Sequence, residues 1–166
     1  MEDIGPIDGA EQLVAVFGYW PTFHDAEVLW LRLDRGSAGE GSFGPTLDAL
    51  VHVFEITPEV GSDGYYVQRH HMLAHLRFHE VVELRLDGFN HQNALSGIDF
   101  TDLRDWQLER VKWAVRFDSA FGADASFQCR AVEVVSVVPC SKAGEPIHAE
   151  PSAATDGVVV SDSAEG

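Results

Sequence analysis

The run from Phe17 to Asp34 sets the terms for the rest of the chain, because a helix end, an aromatic turn, a polar trio and a strand follow one another there without a gap. Gly18 can take the left-handed conformation that closes a helix, and Pro21 lacks the N–H needed to continue one, so the backbone turns between them. Tyr19, Trp20 and Phe23 are too apolar to stay in water and are expected to fold that turn onto the body of the domain. His24, Asp25 and Glu27 stand where a period of two begins. From Glu27 to Asp34, Leu29, Leu31 and Leu33 share one side while Val28, Trp30 and Arg32 share the other, which predicts a strand. Upstream, Leu13, Val14 and Phe17 lie on one face at helical spacing, and Asp8 with Glu11 three residues on forms a capping-box-like start, so a short amphipathic helix is predicted over 9–17.

That helix needs a sheet to rest on. After a connection with four glycines between Arg35 and Pro45, the apolar density of Thr46 to Thr57 predicts a strand covered on both faces for part of its length. Tyr65 to Phe78 predicts a third strand, with Met72, Ala74, Leu76 and Phe78 on one face and His71, His75 and Arg77 on the other. Val81 to Asp87 alternates again. From Gly88 to Arg110 the pattern changes: Gly88, Asn90, Gln92 and Asn93 belong to a loop whose side chains can bond its own backbone, and Phe100 to Gln107 predicts a turn of helix. A hairpin follows, with Val111 to Phe117 as one arm, a turn around Gly122, and Phe127 to Val138 as one long returning strand that Pro139 ends. The resulting expectation is an α+β domain over 1–140: a mainly antiparallel sheet of about six strands, bent or barrel-like, with one N-terminal helix packed on it. Residues 141–166 are acidic and rich in Ser and Ala, and are expected to be disordered, with Val158 to Val160 the one stretch suited to pairing on a sheet edge.

Charge narrows the partners. With 27 acidic residues against 11 basic ones, the formal net charge of −16 argues against nucleic acid or an anionic membrane and favours a cationic protein, unless the acidity only maintains solubility. Two cysteines, Cys129 and Cys140, suggest neither a disulfide framework nor a Cys-x-x-Cys metal or redox site. Glu2 and Asp3 stand where a secretory signal carries positive charge, and no apolar run is long enough to span a membrane, so a cytoplasmic protein is expected.

Two groups of side chains invite a chemical reading. An adjacent His24-Asp25 pair occurs in metal phosphohydrolases, but there it sits on a helix with further ligands from other helices. Here it stands at a strand entrance, where satisfying the turn is the simpler role: Asp25 accepting backbone N–H bonds and His24 packing on Trp20. The second group is His70, His71, His75 and His79 with Glu80. Imidazoles bind zinc, nickel or copper, and spacing by four would align His71, His75 and His79 on a helix. On a strand, residues four apart lie about 13 Å from each other, too far to share an ion. A nucleophile elbow and a Gly-rich phosphate loop are both missing from the sequence, and Cys129 lies among apolar strand neighbours. A metal-binding domain or metal-dependent enzyme built on His70, His71, His75 and His79 is the chemical alternative; an oligomerisation module resting on apolar edges is a third.

The order of motifs resembles the immunity protein 50 family of bacterial polymorphic toxin systems. The resemblance rests on Phe17, Gly18, Trp20, Pro21, Phe23, His24, Asp25, Ala26, Glu27 and Val28, on Gly88, Phe89, Asn90, Gln92 and Asn93, and on the closing hairpin with Phe127, Cys129 and Pro139. It covers roughly residues 8 to 140. It implies a small cytosolic protein that protects its producer by binding and neutralising a cognate protein toxin, with no catalytic residues and no cofactor to carry over. A basic toxin would suit the acidic surface.

Overall fold

In the computed structural model, which describes residues 6–36 and 44–147, the predicted helix is α1 (Ala10–Phe17). Gly18 closes it as expected, at φ 82° with its N–H on the Val14 carbonyl. The predicted capping box does not form. Gly9 is the N-cap, with no side-chain cap, and Asp8 instead lies beside Glu133 as a one-residue parallel bridge. Gly9 is required there, because a Cβ would stand 2.3 Å from the Val134 carbonyl oxygen at a φ of 77°.

Eight strands follow: β1 (Glu27–Asp34), β2 (Thr46–Val60), β3 (Tyr66–His79), β4 (Val82–Asp87), β5 (Ala94–Asp102), β6 (Trp113–Phe121), β7 (Asp124–Cys129) and β8 (Ala131–Pro139). They make one antiparallel sheet in the order β4-β7-β6-β5-β1-β2-β3-β8. The α+β expectation holds, while the count of about six is corrected to eight. Of the bent or barrel-like outlines expected, the bent one holds: the terminal strands β4 and β8 do not pair, so the sheet is folded over but not closed.

Both missing strands have a physical explanation. In β5, register shifts lie between Ala94 and Leu95 and between Leu95 and Gly97, and the buried residues are Leu95 and Ile98, three apart. A bulge breaks the period of two, which hides a strand from pattern reading. A single 3-10 turn, Arg104–Trp106, stands in place of the predicted helical turn. The long strand expected from Phe127 to Val138 is really two, broken at Arg130. Core residues on β7 are Ala125, Phe127 and Cys129, whereas on β8 they are Val132 and Val134. The parity changes as the chain crosses from one half of the sheet to the other.

The two halves enclose the core between them. Phe78 on β3 meets Phe127 on β7 at 4.8 Å, Phe117 on β6 at 5.9 Å and Phe100 on β5 at 6.4 Å between ring centroids. Helix α1 adds Leu13 and Phe17 to this core, packing beside β8 and β3. The chain passes between the halves at 79–82 and again at 129–131, where the Arg130 N–H donates to the His79 carbonyl. Beside that crossing the buried carboxylate of Glu80 receives both Arg110 and Arg130.

The β1 face assignment needs correction. A bulge between Val28 and Trp30 puts Val28 and Leu31 toward the core, and Leu33 is exposed. Residues 141–147, assigned to the tail on composition, form a turn bridged by Cys140 and Pro146. The Val158 to Val160 stretch and most of the glycine-rich connection lie outside the described residues.

Candidate functional site

The aromatic corner and the Gly88–Asn93 loop are 60 and more residues apart in sequence, yet they meet. The meeting place is the seam between β1 and β5, where the sheet folds over and where the ladder has only the pair Glu27 and Ala94. Backbone bonds stitch the seam: Asp25 N–H to Leu95 O (2.9 Å), Leu95 N–H to Ala26 O (2.8 Å), Val28 N–H to Asn93 O (2.9 Å) and Ile98 N–H to Thr22 O (3.1 Å). Asn93, 3 % exposed, uses its whole amide. Its Oδ1 accepts from the N–H groups of Asn90 (2.9 Å) and Ala123 (3.0 Å), and its Nδ2 donates to the carbonyls of Asn90 (2.9 Å) and Val28 (3.3 Å). A short amide with two donors and two acceptor lone pairs is the side chain that can satisfy all four.

The rest of the corner divides between buried rings and exposed polar groups. Phe23, at φ 64° and 1 % exposed, is driven inward while Trp20 lies edge-on to it at 5.8 Å and to Phe100 at 5.4 Å. A left-handed bulky residue is strained unless packing holds it, and here the core does so. Tyr19 does not join them; it stays about half exposed. Pro21, between Trp20 and Thr22 in the chain, is buried. Near Gly88, at φ 70°, a Cβ would lie 2.6 Å from the Gly122 carbonyl oxygen, so the loop can close only on glycine. His24 and Asp25 point outward, with Nδ1 and Oδ2 3.0 Å apart and both side chains exposed. Neither expected contact is made: the Thr22 hydroxyl, not Asp25, accepts the His24 N–H (3.3 Å), and no ring contact joins His24 to Trp20. Glu27 begins β1 opposite His52.

The histidines occupy the outer face of β2 and β3. Because β3 is a strand, His71, His75 and His79 each meet a different cross-strand partner: His52 at 2.9 Å, Asp48 at 2.8 Å and Glu133 at 2.8 Å. The predicted separation thus decides against a shared ion, and the metal reading is corrected: among the described residues no three His, Cys, Asp or Glu side chains gather to hold one. A bulge at His70, φ 58°, turns that ring away toward Phe17 at 6.2 Å, with Glu55 3.7 Å from its Nε2. Glu80, grouped with the histidines in sequence, serves the arginines described above.

Electrostatics fit a structural ladder. Burial raises the Asp48 carboxyl, but the Arg77 guanidinium, bonded through two nitrogens, and then His75 outweigh it and hold the group below its ordinary range. Burial lowers His52, and the charge of His71 adds to this; His71 is lowered by burial and then by Lys142. Two imidazoles 2.9 Å apart bond when one donates and the other accepts, so the neutral forms are favoured. Trp30 covers His75 edge-on at 5.3 Å. Cys129 is fully buried, and burial pushes its thiol up to about 12, which makes it a core side chain rather than a nucleophile. Sequence reading missed the ladder's acidic members, Asp48 and Glu133, because their pairing with β3 depends on register.

A family model described as Immunity protein 50 matches residues 9–140. No curated protein matches the chain, and no solved structure does.

Proposed function

Because the chain belongs to the immunity protein 50 family, we propose that it binds and neutralises a cognate protein toxin in the cytoplasm of the bacterium that makes both. The match over 9–140 is the observation that carries this reading. The net charge of −16 supports a basic toxin, since opposite fields accelerate encounter and disfavour nucleic acid as a rival ligand. A rigid seam spanning both motif blocks supports a role in occupying the toxin rather than in transforming it, because a tight inhibitor gains from a surface ordered before contact.

The test is co-expression with the open reading frame beside this chain's gene, whose product is the toxin on this reading. Induction of that neighbour alone should arrest growth, and co-expression of the chain should restore it. Continued arrest, with the chain soluble and abundant, would refute the proposal.

A further inference from the structure

Beyond His52 on one side and Met72 on the other, β2 and β3 leave the body of the sheet. The β1 ladder ends at the pair Glu27 and His52, and the β8 ladder at Met72 and Pro139. The outer part of the hairpin therefore pairs only with itself in the sheet. It is nevertheless a built structure. The Thr57 hydroxyl donates to the Val67 carbonyl at 2.8 Å, Gly61 N–H to Tyr65 O at 2.7 Å, and Tyr65 N–H to the Asp63 carboxylate at 3.0 Å. Gly64, at φ 85°, supplies the left-handed residue that the reversal needs.

The base of the arm rests near the aromatic corner, with His70 against Phe17, but toward its tip large apolar side chains face water. Tyr65 is 76 % exposed, Val60 64 % and Tyr66 62 %, and Ile56 is exposed as well. Large apolar and aromatic groups left in water on an ordered element mark a protein contact, and tyrosine is among the residues that anchor such contacts. Charge identifies the partner's chemistry. Between those ladder ends, residues 53–71 contain Glu55, Glu59 and Asp63 against one arginine, Arg69, which pairs with Glu55 at 3.2 Å, so Glu59 and Asp63 give the tip its net negative charge. Other exposed aromatics have a different setting: Phe121 lies edge-on to His91 at 6.2 Å between ring centroids.

We infer that the projecting β2–β3 hairpin is the surface that docks the toxin, with Val60, Tyr65 and Tyr66 entering an apolar cleft rimmed by cationic side chains. The inference rests on the immunity reading above and adds to it the face that binds. The free backbone edges also allow a partner strand to add to the arm. A second copy of this chain is a poorer occupant, because like-charged arms would be brought together.

The experiment uses the full chain and the purified product of the adjacent open reading frame, with affinity and association rate followed across salt concentration. Tyr65→Ser with Tyr66→Ser should weaken binding on the order of 100-fold, the loss of two anchors. Trp106→Ser, at an equally exposed aromatic in the 3-10 turn, should leave affinity within about threefold. Glu59→Lys with Asp63→Lys should slow association and flatten its salt dependence. Melting temperatures should stay near that of the unaltered chain, because the altered side chains fill no core. Arm variants that bind as the unaltered chain does would overturn the docking assignment while leaving the immunity reading intact. Failure of the unaltered chain itself to bind would refute the immunity reading and the assignment with it. Sedimentation showing a dimer that the tyrosine variant abolishes, with toxin affinity unchanged, would overturn the assignment in favour of self-association.

Discussion

Replacing Asn93 by Ala tests whether one buried amide holds the fold of the sheet together. The side chain makes four hydrogen bonds, and removing it leaves the Ala123 N–H and the Val28 carbonyl without that partner inside the protein. An orphaned buried group costs about 1–3 kcal/mol. The Asn90 N–H and carbonyl lie nearer the surface and can recruit water, adding about 1 kcal/mol together. The Val28 bond is the longest of the four at 3.3 Å, which favours the lower part of its range, so the total comes to about 3–5 kcal/mol. For a chain of this size each kcal/mol moves the melting temperature by about 2–4 °C, so a fall of roughly 6–20 °C is expected. Asn90→Ala is the control: its exposed amide makes a 3.4 Å bond to Gly88 O and accepts from Gln92 N–H, worth about 1 kcal/mol or less. Thermal unfolding by circular dichroism measures both. If Asn93→Ala melted within a degree or two of the unaltered chain, or no lower than Asn90→Ala, the seam would not depend on this amide and the reasoning would fail.

Asp48→Asn should cost about 2 kcal/mol at neutral pH, because it deprives Arg77 and His75 of their shared carboxylate. The folded-state pKa of Asp48 lies below 3.8, so its contribution is complete above that value and lost as pH falls through the folded pKa; urea titrations should show the gap between variant and unaltered chain closing only in that acid range. His52 and His71 are both lowered from 6.5, which means the unfolded chain takes up their protons first. Stability should therefore decline as pH drops below 6.5 toward their folded values, and the His52→Gln, His71→Gln double variant should give a flatter urea midpoint over that window. With Cys140→Ser leaving Cys129 as the sole thiol, a thiol reagent should react with the native protein at least about 100-fold more slowly than with the protein in denaturant; comparable rates would contradict the burial.

Much of this protein could be read from local pattern alone. The helix over 9–17, the extent of β1, and the two faces of β3 follow from periodicity, since neighbours three, four or two residues apart need only the local backbone to define their faces. Glycine and proline marked the turn after α1 for the same reason. The motif blocks were legible as words, but not as neighbours. Their meeting at Asn93 depends on contacts across more than 60 residues, as in its bond to Val28, and nothing in either block encodes the other's position.

What the tertiary structure decided was register and parity. Bulges at β1 and β5, and the break at Arg130, each shift the inward side by one residue, so an apolar run there looks continuous or patternless until its partners are known. For the histidines the strand and its spacing were already legible, and they argue against a shared ion; what pairing with β2 and β8 decided was the separate partner each ring meets. Sequence specifies which side chains are available within a few residues; long-range pairing fixes which of them face one another, because hydrogen-bond ladders join segments that the chain itself keeps far apart.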